Sequence, residues 1–539
     1  MCLGDSRNLI LTGFMGTGKT TVGREVAQRL RLPFVDMDLE IGARAGKSIP
    51  RIFAEDGEAT FREMEAALCE ELGRQRGLVI ATGGGALVDP SSRAALMTSG
   101  TVVCLTCDVK EIVRRLDGGA DSDRPLLSVA DPHGEIQRLL EVRREAYSSI
   151  PWQVDTTGLS VEEIAEQAMQ FSRVVTLPVG HAGGSYAIHI GTGLLAHAGD
   201  ALRASGTPGG NRVAVVSNPA VAHLYGAQVE EALRSAGFEP LACTVPDGEE
   251  HKTLATVHLL YEQFLAAGLD RSGTVLSLGG GVTGDIAGFA AATYLRGLRF
   301  AQIPTTILAM ADASVGGKTG VDLPQGKNLV GAFKQPALVV MDPAVLATLP
   351  LEEIRSGAAE VIKHGVIGSP ELFAELEVRA GVLSSWWEGD GVSWIVRALR
   401  VKVDIVEQDP YEEGRRAVLN LGHTVGHGLE RLSGYTLRHG EAVGIGMVAA
   451  ARKAAELGWA NRSLAERIEA VLAAWGLPVR CPPFDVAEIW EAMSHDKKQR
   501  GGTLRWVLPR AVGDVAVAAD VPPMVVRSIL RDLGARSEK

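Results

Sequence analysis

Six cysteines in 539 residues are too few to staple domains of this size together, which points to a reducing compartment and free thiols. One C-x-x-C exists, Cys104 and Cys107, but it lies beside the apolar run Val102-Val103-Cys104-Leu105 with no second pair. Buried structural cysteines are therefore expected there rather than a zinc or redox pair. No apolar run approaches the roughly 18 residues of a membrane span, and Met1-Cys2-Leu3-Gly4-Asp5 has neither a basic nor an apolar leader region. A cytoplasmic protein with no membrane partner is expected. Positive charge is scarce as well: 54 Lys and Arg face 65 Asp and Glu, a net charge of −11, which argues against a nucleic-acid partner. Any anionic ligand must be met by cations gathered locally.

What is present is apolar material, 46% of the chain, enough for several buried cores. We divide the chain at residues 1–172, 173–345 and 346–539. The first part alternates short apolar strands near 8–12, 33–36, 78–82 and 101–105 with amphipathic helices, the pattern of a parallel α/β sheet. A helix over 161–171 closes it, and the alternating run Val174 to Val179 follows almost without a linker. Strands at 186–190, 212–217, 274–278, 300–303 and 338–341 make a second α/β unit. Beyond about residue 345 the pattern is helical, with one possible strand at 504–508.

Residues 13–20 read GFMGTGKT, a complete phosphate-binding loop between an apolar strand and a helix. Backbone N–H groups freed by Gly13, Gly16 and Gly18 would converge on phosphate oxygens, Lys19 would reach the outer phosphates, and the Thr20 hydroxyl would ligate Mg²⁺. Downstream stand FVDMDLE at 34–40, FRE at 61–63, ATGGGALV at 81–88 and DSDRPLL at 121–127. Together these motifs resemble shikimate kinase over residues 7–172. The resemblance implies a P-loop kinase that uses ATP with Mg²⁺ to phosphorylate shikimate. It implies ATP contacts from Gly16, Thr17, Gly18, Lys19, Thr20, Thr21 and Arg124, and a Mg²⁺ site at Thr20 and Asp36. Asp38 would accept a hydrogen bond from the reacting hydroxyl. Arg62, Gly84 and Arg143, the last placed by the R-x-x-x-Y spacing to Tyr147 with its neighbour Arg144 as the alternative, would hold the acid, and Arg124 would close over ATP.

In the second part, TVLSLGGGVTGDIAGFAAAT at 274–293 places Gly279-x-Gly281-x-x-Gly284 between a strand and a helix, a dinucleotide-binding arrangement. PDGEEHK at 246–252, IPTT at 303–306, DASVGGKTGVD at 312–322 and GKNLVGAF at 326–333 accompany it. Lys318, Lys327 and Asn328, read as lying in Gly-rich loops, would cradle a phosphate-bearing substrate. In the helical part, AAEVIKHG at 358–365, NLGHTVGHGLE at 420–430 and LRHGEAVG at 437–444 supply Glu360, His423, His427 and His439. His423 and His427 share one face of a helix, and a carboxylate with two imidazoles leaves positions open on Zn²⁺.

This set resembles 3-dehydroquinate synthase over about residues 174–539. The resemblance implies a Rossmann-like NAD-binding domain, an all-helical metal domain, and conversion of 3-deoxy-D-arabino-heptulosonate 7-phosphate to 3-dehydroquinate and phosphate. NAD⁺ and one Zn²⁺ or Co²⁺ would be the cofactors, with Glu360, His423 and His439 as metal ligands. The NAD site would comprise Asp247, Glu249, Lys252, Gly280, Gly281, Gly284, Asp285, Thr305, Thr306, Asp312, Lys318 and Lys327. Substrate would meet Arg296, Lys318, Lys327, Asn328, Lys363, Lys402, Arg416, His427 and one lysine of HDKK, Lys497 or Lys498. A homodimer through the synthase is also implied. Met310 and Asp322 depart from the family's usual residues but only flank the motifs. Other readings keep the folds and change the chemistry: a different small-molecule kinase joined to another sugar-phosphate cyclase or a metal-dependent alcohol dehydrogenase, or one module as a nucleotide-binding regulatory domain. Lys402 and Arg416, suited to a substrate carboxylate, and the acceptor set Asp38, Arg62 and Arg143 speak against both.

Overall fold

Leu9-Ile10-Leu11, apolar without alternation, demands cover on both faces and is found in the middle of a sheet. The computed structural model describes residues 7–117, 131–379, 391–499, 505–518 and 523–536. Contacts divide the chain into two compact units, Met1–Val175 with Gly191–Asn211 and Gln228–Glu239, and Thr176–Ile190 with Arg212–Ala227 and Pro240–Lys539.

In the first unit, β1 (Asn8–Gly13), β2 (Phe34–Asp36), β3 (Val79–Ala81), β4 (Gly100–Thr106) and β5 (Trp152–Asp155) form a parallel sheet in the order β2-β3-β1-β4-β5. The first four match the expected strands, and β5 adds a fifth. Because β1 lies between β3 and β4, the loop leaving it opens at the carboxyl ends of the strands, where ligands bind in such sheets. Gly13 has φ 134°, and a Cβ there would lie 2.2 Å from the Leu105 carbonyl oxygen, so only glycine turns the chain against β4. Helix α1 (Lys19–Leu30) starts directly after Gly18, at φ 94°. Asp36 caps α2 (Met37–Ala45), its carboxylate accepting from the backbone N–H groups of Asp38 and Leu39. Helices α3 (Gly57–Gly73) and α4 (Pro132–Ser148) carry further site residues. Cys104 is buried and Cys107 half-buried, both as free thiols.

The second unit is built on a seven-stranded sheet of β6 (Val175–His181), β7 (Gly184–Ile190), β8 (Arg212–Ser217), β9 (Glu239–Thr244), β10 (Thr274–Gly279), β11 (Arg299–Pro304) and β14 (Leu338–Met341), ordered β6-β7-β14-β11-β10-β8-β9. Helix α5 (Gly281–Thr293) leaves β10 directly. Between β11 and β14 the structure corrects the expectation of Gly-rich loops: β12 (Lys318–Leu323) and β13 (Gly326–Phe333) pair antiparallel as a separate ribbon. Gly320 faces Gly331 in register, and a Cβ on Gly331 would stand 2.4 Å from the Thr319 carbonyl oxygen. These glycines serve strand approach rather than looping.

Helices α6 (Leu351–Gly368), α7 (Gly391–Gln408), α8 (His423–Leu432), α9 (His439–Glu456) and α10 (Val486–Gln499) follow. The region is not entirely helical, because β15 (Trp506–Ala511) and β16 (Asp514–Ala518) form an antiparallel hairpin. No helix among the described residues is long and apolar enough to cross a membrane. Glycine sets the helix spacing. A Cβ at Gly446 of α9 would lie 1.8 Å from the Gly422 carbonyl oxygen at the head of α8, and one at Gly440 would lie 1.9 Å from the Ser356 oxygen of α6. Backbone thus meets backbone: the head of α8 rests on α9, and the amino end of α9 rests on α6. Gly446→Ala should cost about 1–3 kcal/mol through overpacking, read as a lower denaturant midpoint for the unfolding transition of the second unit.

Candidate active sites

In the first unit the phosphate loop is already shaped. Gly16 and Gly18 have φ 81° and 94°, and the Lys19 ammonium donates to the Phe14 carbonyl at 2.9 Å, holding it over the loop. The Thr20 hydroxyl donates to Asp36 Oδ2 at 2.6 Å. A hydroxyl and a carboxylate oxygen side by side at the helix start suit a hydrated Mg²⁺ between them.

The acceptor residues converge on the turn Gly83-Gly84-Gly85. A Cβ on Gly83 would lie 2.9 Å from Asp38 Oδ1, and one on Gly85 would lie 2.5 Å from Arg62 Nη1. Arg143 Nη1 donates to the Gly84 carbonyl at 2.9 Å. Arg144 instead pairs with Glu141 at 2.5 Å on the exposed side of α4, so the structure brings Arg143 to the turn and leaves Arg144 away from it. Two further residues complete this turn, Glu65, which the sequence did not mark, and Tyr147, the tyrosine of the R-x-x-x-Y spacing that begins at Arg143. Glu65 is buried and accepts from Arg62 Nη1 at 2.7 Å; burial raises its carboxyl pKa even against the Arg62 charge. Tyr147 donates its hydroxyl to the same Gly84 carbonyl at 2.5 Å. Arg124 lies outside the described residues.

In the second unit Glu360, fully buried on α6, places Oε1 3.2 Å from His439 Nε2 and 3.8 Å from His423 Nε2. One ligand atom from each of the three lies within 4.8 Å of the others. One carboxylate oxygen and two imidazole nitrogens at this spacing fit Zn²⁺ or Co²⁺. Burial alone would raise the Glu360 carboxyl, but Lys363, paired with its second oxygen, holds it well below the usual range. Burial lowers His439 too, yet Glu360 and Glu430 on its two sides raise it to about 10. His423 is driven well below its ordinary value, by burial first and Lys363 second. The His427 ring stands 6.5 Å from that of His439, outside the ligand cluster.

A cavity of about 700 Å³ opens beside this cluster, lined by Lys318, Lys327, Asn328, His423, His427 and His439 among others. Lys318 pairs with Glu412, which also accepts from Asn420 Nδ2 at 2.9 Å. Lys327 lies 3.1 Å from Glu249 and 3.2 Å from Glu430. Asn328 accepts from Lys252 Nζ at 2.6 Å, and Lys252 also meets Asp285 at 2.6 Å. Behind the cavity wall Lys363, Lys402 and Arg416 are buried. Lys402 donates to Asp312 Oδ1 at 2.7 Å, and burial brings its ammonium down to about 8 although Asp312 opposes the change. Glu412, Asn420 and Glu430 were not singled out in the sequence, although Asn420 and Glu430 bound the motif that holds His423. Arg296, at φ 66°, does not line the cavity, and the side chains of Lys497 and Lys498 lie outside the described residues.

The nucleotide side is a glycine cradle. A Cβ on Gly280, the residue capping α5, would lie 3.2 Å from the Thr306 methyl, one on Gly281 3.3 Å from Ala313 Cβ, and one on Gly284 3.1 Å from Gln302 Oε1. Thr305 donates its backbone N–H to the Gly279 carbonyl at 2.9 Å, and Asp247 accepts from Asn218 Nδ2 at 2.8 Å. Glycine at these positions lets the amino end of α5 pack closely on its neighbours, the backbone arrangement that dinucleotide-binding turns present to a pyrophosphate.

Comparison with known proteins matches both units. The family model for shikimate kinase matches residues 15–173, that for the 3-dehydroquinate synthase N-terminal region 242–356, and that for its C-terminal region 357–499. A 3-dehydroquinate synthase of Synechocystis sp. is 48% identical over 359 residues, covering 66% of this chain and 99% of the relative. The one from Pelobacter propionicus is 48% identical over 346 residues, covering 64% and 95%. Among solved structures, a 2-epi-5-epi-valiolone synthase of Streptomyces hygroscopicus subsp. jinggangensis, with NAD⁺ and Zn²⁺ bound, superposes with a TM-score of 0.60 at 29% identity, covering 66% of this chain and 98% of that one. Helices, cation cradle and ligand cluster thus stand in a chain that belongs to the 3-dehydroquinate synthase family and joins to it a shikimate kinase, one bifunctional enzyme of the shikimate pathway.

Proposed function

We propose that residues 1–172 carry the kinase site and that 173–345 and 346–539 are the nucleotide and metal domains of the synthase. In the kinase, Gly16 to Thr21 and Lys19 bind the phosphates of ATP, and Thr20 with Asp36 would hold Mg²⁺, which supplies charge neutralisation on the transferring group. Asp38 accepts the proton of the attacking hydroxyl, while Arg62 and Arg143 bind the shikimate carboxylate from either side of Gly84. Arg124 closes over ATP. The observation that carries this reading is the gathering of Asp38, Arg62 and Arg143 on one three-glycine turn.

In the synthase, Glu360, His423 and His439 would hold Zn²⁺ or Co²⁺, and Gly280, Gly281 and Gly284, with Asp247, Glu249, Lys252, Asp285, Thr305, Thr306 and Asp312, would hold NAD⁺. These groups, when bound, supply transient oxidation of one substrate alcohol and polarisation of its oxygen. Lys402 and Arg416 bind the heptulosonate carboxylate. Lys318, Lys327, Asn328 and a lysine at 497 or 498 bind the phosphate that leaves. Lys363 keeps Glu360 ionised, and His427 passes a proton at the cavity wall. The carrying observation is the convergence of Glu360, His423 and His439 within 4.8 Å. We place the enzyme in the cytoplasm as a homodimer through the synthase.

Lys19→Ala should remove kinase activity by at least about 10²-fold and leave dehydroquinate formation intact, while His423→Ala should do the reverse. Paired assays of the whole chain check this, and joint loss with the fold preserved contradicts separate sites. A strong chelator at fixed Mg²⁺ should inactivate the synthase alone, with Zn²⁺ or Co²⁺ restoring it. The Lys402 ammonium is charged below about pH 8 and neutral above it, so its hold on a carboxylate is lost as pH rises. Synthase kcat/KM should therefore fall through about pH 8, and Lys402→Arg should move that limb upward; an unchanged limb contradicts the assignment.

A further inference from the structure

A buried carboxylate that takes no part in the ligand cluster stands behind it. Glu430 lies on α8, is 2% exposed, and sits two turns beyond His423 on the same helix. Its Oε1 lies 3.4 Å from His439 Nδ1 and 3.2 Å from Lys327 Nζ, so one oxygen serves both an imidazole and an ammonium. The other nitrogen of His439, Nε2, faces Glu360 at 3.2 Å. We propose that Glu430 is a positioning residue: it accepts the Nδ1 proton of His439, aims Nε2 at the cation and sets the affinity of the metal site. The inference rests on the metal reading of Glu360, His423 and His439.

An imidazole can give only one nitrogen to a metal, and that nitrogen must carry no proton. With Nε2 turned to the cluster, the remaining proton belongs on Nδ1, where the Glu430 carboxylate receives it. A carboxylate there fixes ring rotation and tautomer and makes the ligating nitrogen more basic. Left alone, so buried a negative charge would be costly. Lys327 offsets it and is itself held by Glu249 at 3.1 Å and by the Tyr435 ring at 4.5 Å. Lys327, held in place by Glu249 and Tyr435, thus balances Glu430 at the back of His439.

The test uses the full-length protein stripped of metal and titrated with Zn²⁺ alone against a chromophoric chelator. Glu430→Gln keeps the shape and removes the charge, and should bind Zn²⁺ about 10–100-fold more weakly with an unchanged metal-free circular dichroism spectrum. An affinity within about threefold of the parent overturns the proposal. His423→Ala is measured beside it. If that variant loses Zn²⁺ while Glu430→Gln does not, the inference fails alone; if it keeps parental affinity, the metal reading fails instead. Should Glu430→Gln not fold, ¹⁵N-histidine spectra of the unaltered Zn²⁺-loaded protein decide. His439 protonated at Nδ1 and ligated at Nε2 is the expected result, and the reverse assignment overturns the proposal.

Discussion

A carboxylate with no exposed surface lies at the centre of the synthase, and the three helices around it are placed to make its charge tolerable. Glu360 would cost several kcal/mol to bury unpaired. Lys363 follows it by three residues on α6, and His423 and His439 reach it from the amino ends of α8 and α9. Those ends come close enough because Gly422, Gly440 and Gly446 carry no side chain. Packing and electrostatics are here one constraint: helix spacing brings the compensating groups into reach, and compensation keeps the carboxylate ionised and able to bind a cation.

The same pairing of charges explains how an acidic chain serves anionic substrates. With a net charge of −11 there is no general positive field to draw them in. Several of the site cations instead have a carboxylate at their side: Arg62 with Glu65, Lys318 with Glu412, Lys327 with Glu249 and Glu430, Lys402 with Asp312. The acids fix side chains that would otherwise sample many rotamers. A substrate phosphate or carboxylate must match that arrangement, so recognition rests on geometry more than on attraction from a distance.

Local spacing made much of this legible. The phosphate loop, the glycine turn after β10 and the His423–His427 step are short-range patterns with one mechanical meaning each. Long-range partnerships were not legible. Glu412 meets Lys318 across 94 residues and Glu430 meets Lys327 across 103, and nothing in either neighbourhood marks the pairing. The β12–β13 ribbon was hidden because Gly320 and Gly331, which signal loops in isolation, here allow two strands to touch. The R-x-x-x-Y spacing favoured Arg143 over Arg144 only as far as Tyr147 was placed correctly. Helical phase separates them: Arg143 and Tyr147, four apart, both reach Gly84, while Arg144 is rotated away to Glu141.

The glycines that let these helices touch also weaken them one by one. Helix α9 has Gly440, Gly444 and Gly446 within 18 residues, and α8 has Gly426 and Gly428 within 10. Each interior glycine costs roughly 1 kcal/mol of helix propensity relative to alanine, and a helix of 10 residues such as α8 is marginal on its own. They become helical by docking, so Glu360 and His439, 79 residues apart, meet only after α6, α8 and α9 have packed. In small zinc-nucleated domains the ion organises the chain. Here the donors are spread over 79 residues and three helices, so a place for the ion is a product of tertiary packing and belongs to no local segment.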